Sequence, residues 1–183
     1  MEIKEIKSLS VELKQELVKL LVESVETGDL GFAHPLSKES AEQYWDKIEK
    51  DLKDNENEIT RVLLVSYIDN KISGTVQLSW SSKFFTNCNH RAEVQKLMVG
   101  NNFRGKGVAR KLLETIEIFA QQYKKQLLIL DTRSDLSVPE MYKKMGYVSV
   151  GDIPFYSLEN GIYTSTTFFY KIIDKSLISK EQA

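Results

Sequence analysis

The chain has 183 residues, one cysteine and a net charge of −1, with 28% charged and 42% hydrophobic residues. That balance suits one globular domain, expected over 1–183, with a core of its own, and it leaves no basic excess for nucleic acid. A single thiol, Cys88, excludes an intramolecular disulfide and fits a reducing compartment. Met1-Glu2-Ile3-Lys4 carries no signal-like apolar run, and no segment approaches membrane-spanning length, so a cytoplasmic protein without a membrane partner is expected.

Met1 to Leu9 alternates like a first strand. Ser10 is placed to cap a helix carrying Leu13, Leu17, Leu20, Leu21 and Val25 on one face, closed by Gly28 and Gly31. A second helix is expected from Ser40, with Gln43 completing a capping box and Ala41, Trp45, Ile48 and Leu52 as its buried stripe. Asp51 to Glu58 reads as a polar loop. Thr60 to Ile68, a turn at Asp69-Asn70-Lys71, and the alternation from Ile72 to Trp80 predict a hairpin. Ser81 to His90 reads as a loop. In the next strand the apolar positions switch parity, from Ala92 and Val94 to Leu97 and Val99. One face survives that switch only if a residue is inserted, which predicts a β-bulge near Gln95-Lys96. Val108 to about Lys124 reads as an amphipathic helix, Leu127 to Leu130 as a buried strand ending in Asp131, and Pro139 to Lys144 as a short helix. Tyr147 to Val150 and Tyr163 to Ile173 are the last strands, joined by a longer segment with a turn at Asn160-Gly161.

The bulged strand runs into Gly100-Asn101-Asn102-Phe103-Arg104-Gly105-Lys106-Gly107-Val108-Ala109. Strand, glycine loop and helix N-terminus together form a device for holding a phosphate, because backbone N–H groups and the helix dipole converge on an anion. Gly100, Gly105 and Lys106 fit most of a nucleotide-triphosphate P-loop, but Gly107 stands where a metal-binding Ser or Thr belongs. Arg104-x-x-Gly107-x-Ala109 instead resembles the [QR]-x-x-G-x-[GA] motif of the GCN5-related N-acetyltransferase (GNAT) superfamily, which cradles the pyrophosphate of acetyl-CoA. A bland connection between strand and helix is the competing reading of the same glycines.

The order of elements resembles the same superfamily. The resemblance implies an α+β fold with a central mixed, mostly antiparallel sheet, a bulged fourth strand and flanking helices. Arg91 to Val99, Leu130-Asp131-Thr132 and Val150 to Tyr156 are similar to the tabtoxin resistance protein branch, which acetylates a small amine-bearing β-lactam compound. Upstream the likeness is weaker, although Phe32 to Ser37 is a candidate acceptor-site loop. Many relatives carry Asn where Asp131 stands.

What the resemblance implies is transfer of the acetyl group of acetyl-CoA to the primary amine of a small-molecule acceptor by direct attack, without a metal and with room for a homodimer. A lysine-like amine has an unperturbed pKa of about 10.4 and must lose a proton before it attacks. Glu93 and Asp131 are the carboxylates implied for that work; a solvated strand charge is the ordinary reading of Glu93. Asp131 ends an apolar strand at the carboxyl edge of the sheet, a common ligand crevice. Tyr142 is implied as the acid for the departing thiolate, against ordinary ring packing. Backbone N–H groups of Leu97, Met98 and Val99 would polarise the thioester carbonyl, and Arg104, Gly105, Lys106, Gly107, Val108 and Ala109 would hold the cofactor's phosphates. Trp45, Trp80, Phe32 and Tyr156 are either pocket walls or, more simply, core. A protein N-terminal or lysine acetyltransferase and a non-catalytic acyl-CoA-binding module remain as alternatives. Cys88 and His90 form no convincing nucleophile or metal pair.

Overall fold

The structure is a computed structural model, and it describes all residues except 27–29, 33, 55–59, 82–83, 137, 160, 175 and 177–183. In chain order the elements are β1 (Glu2–Ile6), α1 (Val11–Val25), α2 (Lys38–Asp54), β2 (Arg61–Ile68), β3 (Lys71–Ser79), β4 (Arg91–Val99), α3 (Val108–Gln122), β5 (Leu127–Arg133), α4 (Val138–Lys144), β6 (Val148–Glu159) and β7 (Ile162–Ile172). The strands form one sheet in the order β1-β2-β3-β4-β5-β7-β6. Among the described strands only β4 and β5 run parallel, so the expected mixed, mostly antiparallel α+β architecture is what forms.

Two apolar layers cover the two faces. Val62, Leu64, Val76, Leu78, Ala92 and Val94 meet Val108, Leu112 and Ile116 of α3. The alternate residues Leu63 and Val65, joined by Met98, meet Leu17 and Leu21 of α1 and Trp45 and Ile48 of α2. β3 is therefore buried on both faces, and its inward polar residues must find partners. Ser73 Oγ lies 2.8 Å from Ser66 Oγ, and Thr75 Oγ1 donates to Leu64 O at 2.7 Å.

Gly74 is where β3 meets the neck of the glycine loop. A Cβ there would lie 2.5 Å from Met98 O and 3.0 Å from Val108 Cγ1. Neither a strand carbonyl nor a packed helix start can step aside cheaply. Gly74→Ala is therefore expected to cost about 1–3 kcal/mol by overpacking, read as a lower urea midpoint. An unchanged midpoint would show that the contact relaxes.

Several boundaries differ from expectation. The Ser10 cap forms, its side chain accepting from Leu13 N at 3.2 Å. The second helix starts earlier than Ser40, at Lys38, because Ser37 Oγ accepts the Ser40 N–H at 3.1 Å. That helix continues through Asp51 to Asp54, where a loop was expected. α1 closes at Val25 and α3 at Gln122. Of the expected turn residues, Gly28 and Asn160 lie outside the described residues. The segment after Val150 is strand rather than linker, since β6 runs to Glu159 through two register shifts, between Ser149 and Gly151 and between Ile153 and Ser157. β6 is an edge of the sheet, and Val150 and Phe155 on it are 69% and 74% exposed.

Candidate active site

The site begins where two strands part. β4 and β5 pair only from Arg91, Ala92 and Glu93 to Leu127, Leu128 and Ile129. Beyond Glu93 the bulge turns β4 away: Gln77 faces Gln95 while Thr75 faces Met98, so β4 carries one residue more than β3, and Lys96 takes φ 50°. This is the insertion the parity switch required. The inserted residue is tied down, with Lys96 Nζ donating to Leu30 O and lying 4.7 Å from the Phe32 ring centroid. Between the parted strands lies a cleft of about 1000 Å³ lined by both of them and by the glycine loop, α2, α3, α4 and β6. Gln95 to Val99 present their β5-side edge to it.

The glycine loop closes one end. A 3-10 turn at Asn101–Phe103 is followed by Gly105 at φ 74° and Gly107 at φ 78°, and Gly107 is the N-cap of α3 without a side-chain cap bond. The left-handed angle explains a glycine at each position. A Cβ added to either would meet no protein atom within 4 Å, so the space before α3 is open for a ligand to approach backbone. Arg104, Gly105, Gly107, Val108 and Ala109 line the cleft. Lys106 does not join them, and its Nζ lies 5.5 Å from the Phe103 ring centroid.

Glu93, Asp131 and Tyr142 all border this cleft, from opposite faces of the sheet. Ala92, Val94, Leu128 and Leu130 are buried against the layer that holds Tyr142. Glu93 pairs with Ile129, and Asp131 follows two residues later, so by the two-residue period both carboxylates point to the other face. Glu93 is half-buried and Asp131 exposed. Tyr142 is 6% exposed, wedged 5.6 Å from the Tyr147 ring and 5.7 Å from Phe169. Burial pushes its phenol well above the usual range, and the charge of Asp131 raises it further. Tyr142 therefore keeps its proton at neutral pH and feels the Asp131 carboxylate across the cleft.

The aromatic candidates divide. Tyr156 lines the cleft and stacks edge-on to Phe168 at 5.2 Å. Trp45 is fully buried core, Phe32 packs on Tyr44, and Trp80 packs on Tyr123 with Lys125 Nζ above its ring. Cys88 accepts a hydrogen bond from Arg91 Nη2 at 3.3 Å. Among the described residues no group of three His, Cys, Asp or Glu is arranged to hold a metal. The sequence reading did not single out Tyr44, Arg61, Gln95, Arg133 or Thr166, which also line the cleft. For Gln95 a signal existed: it stands two residues from Glu93, on the same face and before the bulge.

The features of the cleft suit an acyl-CoA. A parted strand offers backbone to an extended arm, and an uncapped helix N-terminus behind open glycines suits a pyrophosphate. Comparison with known proteins agrees. Residues 26–147 match the Acetyltransferase (GNAT) family, whose members use acetyl-CoA. A stretch of 81 residues, 44% of this chain, is 27% identical to a "Probable glucosamine 6-phosphate N-acetyltransferase" of Drosophila melanogaster, and covers only 36% of that protein's length. The fold is shared with a ribosomal-protein-alanine N-acetyltransferase of Brucella melitensis (TM-score 0.73, 18% identity, 94% of this chain and 99% of that one). It is also shared with YncA of Salmonella typhimurium, described with its cofactor acetyl-CoA (TM-score 0.71, 13% identity, 96% of each chain). No helix among the described residues is long and apolar enough to cross a membrane. Glycine loop, bulged strand and parted sheet thus occur in a chain that belongs to the acetyltransferase (GNAT) family.

Proposed function

We propose that this enzyme transfers the acetyl group of acetyl-CoA to the primary amine of a small-molecule acceptor by direct attack. The observation that carries the reading is the division of groups across the sheet: two carboxylates border the cleft from one face and a protonated, buried tyrosine from the other. The resemblance of Arg91 to Val99 and Val150 to Tyr156 to the tabtoxin resistance branch supports a small acceptor.

Bound acetyl-CoA supplies a thioester carbon open to a neutral amine. The main chain of Arg104, Gly105, Gly107, Val108 and Ala109 holds its phosphates, with Lys106 adding charge from outside the cleft wall. Leu97, Met98 and Val99 offer main-chain N–H groups to the developing oxyanion. Glu93 and Asp131 hold the amine and take its proton, Glu93 through water. Tyr142 gives its proton to the thiolate. The Asp131 charge resists that donation by holding the phenol's pKa up. A proton arriving at Asp131 removes this resistance, so the step that frees the amine also strengthens the acid.

Glu93→Gln and Asp131→Asn keep shape and remove charge. Each is expected to lower kcat/KM by roughly 10²–10⁴-fold, the range of general base catalysis, and to flatten the rise of kcat/KM with pH on the acidic limb. The double variant should lose less than the product of the single losses, because groups acting as one unit are non-additive. Wild-type rates and pH profiles in both single variants would refute carboxylate base catalysis.

A further inference from the structure

The acceptor side of the cleft contains a hydrogen-bond chain whose direction is fixed. Arg61 Nε lies 3.3 Å from Asp51 Oδ2. Arg61 Nη1 donates to Gln77 Oε1 at 2.7 Å and reaches Gln95 Oε1 at 3.4 Å. Gln77 Nε2 donates to Tyr44 Oη at 2.8 Å. Amide orientations are usually ambiguous, but a guanidinium can only donate. Gln77 must therefore turn its oxygen to Arg61 and its nitrogen to Tyr44, and the Tyr44 oxygen must accept. The Tyr44 proton is then directed elsewhere, and no acceptor for it occurs among the described residues. By the same logic Gln95 turns its oxygen to Arg61 and is left with two N–H donors.

Tyr44, Gln95 and Arg61 all line the cleft beside Glu93. Burial of the Tyr44 ring outweighs the Gln77 bond and the Arg61 charge, and the phenol is pushed up to about 12. Tyr44 is therefore a donor throughout the working pH range. Its ring is held by Phe32 at 5.1 Å and Trp45 at 5.2 Å, so the hydroxyl is aimed. Two donors on one wall of the cleft, with a guanidinium behind them, suit an oxygen-bearing anion with two acceptor atoms. Glu93 and Gln95 occupy alternate positions on one face of β4, about 6.5–7 Å apart along a strand. A ligand bridging them has its amine and its oxygens separated by one or two carbon atoms.

We propose that Tyr44 and Gln95 are specificity-determining residues that receive a carboxylate of the acceptor, and that the acceptor is an α- or β-amino acid whose amine faces Glu93. The assignment rests on the small-amine reading above and narrows it. Arg61 does not touch the acceptor. It positions both amides and adds positive charge behind them, itself anchored by Asp51.

The test is thiol release from acetyl-CoA by the full chain, with L-amino acids and β-alanine, their carboxamides, the corresponding decarboxylated amines, and glucosamine as a hydroxyl-bearing amine. Wild type should favour an amino acid over its decarboxylated amine by at least tenfold in kcat/KM. Tyr44→Phe and Gln95→Met should each shrink that ratio about tenfold, through a higher KM for the amino acid with kcat little changed. Tyr44→Phe keeps both ring contacts. A merely structural role would depress all acceptors alike and leave the ratio intact, which would overturn the assignment. Equal use of amino acids and decarboxylated amines, or preference for glucosamine, would overturn it too while leaving amine acetylation standing. Acetyl-CoA binding without acetylation of any amine would sink the small-amine reading itself.

Discussion

Gly107→Asp is expected to weaken CoA binding about 100-fold or more while the chain stays folded. The substitution separates two effects that usually travel together. Structurally it is mild: nothing lies within 4 Å of the new Cβ, Asp is among the few residues that enter the left-handed region readily, and Asp is a favoured N-cap. Electrostatically it is severe, because a carboxylate would occupy the mouth of an anion site. Like charges brought together at an interface cost several kcal/mol, and each 1.4 kcal/mol is about tenfold in affinity. Calorimetry with CoA reads the loss, and circular dichroism reads the retained fold. Unchanged affinity in a folded variant would remove the pyrophosphate from this loop.

Tyr142→Phe is expected to lower kcat by one to three orders of magnitude with little change in acetyl-CoA affinity. General acids contribute roughly 10²–10⁴-fold. A thiol with an unperturbed pKa of about 8.5 is already a fair leaving group, which places the loss toward the lower end. The ring keeps its contacts with Tyr147 and Phe169, so packing is preserved. Because the phenol's pKa is raised, wild-type activity should show no alkaline decline from Tyr142 below about pH 10, its unperturbed value. Wild-type turnover in the variant, with chemistry rate-limiting, would reduce Tyr142 to a packing residue.

The parts of the fold written in local pattern were legible. The parity switch between Val94 and Leu97 located the bulge because a buried strand cannot change phase without an insertion. The glycines after Val99 located the open helix start because both need a left-handed backbone. What local pattern does not encode was missed. The stretch after Val150 carries Gly151 and Pro154, yet β6 runs through both with two register shifts, and pairing with β7 resumes at Ser157. The last turn of α2 sets the charged residues Asp51, Lys53 and Asp54 around the buried Leu52, a composition that reads as a loop although the helix continues. Ser37 caps α2 although Ser40 followed by Gln43 makes the better-looking box. The wall of Tyr44, Arg61 and Gln95 is assembled from α2, β2 and β4, so no stretch of sequence displays it. Its trace is two glutamines, Gln77 in β3 and Gln95 in β4, and only the sheet register makes them neighbours.

The irregular outer strand β6 bears on how the chain keeps from polymerising. An unpaired strand edge is a template on which another chain can grow, and apolar side chains such as Val150 and Phe155 would reward that growth. Growth needs an unbroken row of donors and acceptors in step. The shift after Ser149 and the second before Ser157, where Phe155 takes φ 58°, cut the row into pieces of a few residues. The twist they add turns the pieces out of line with one another. A visiting strand therefore gains only a short foothold, and a sheet with an oily border remains finite.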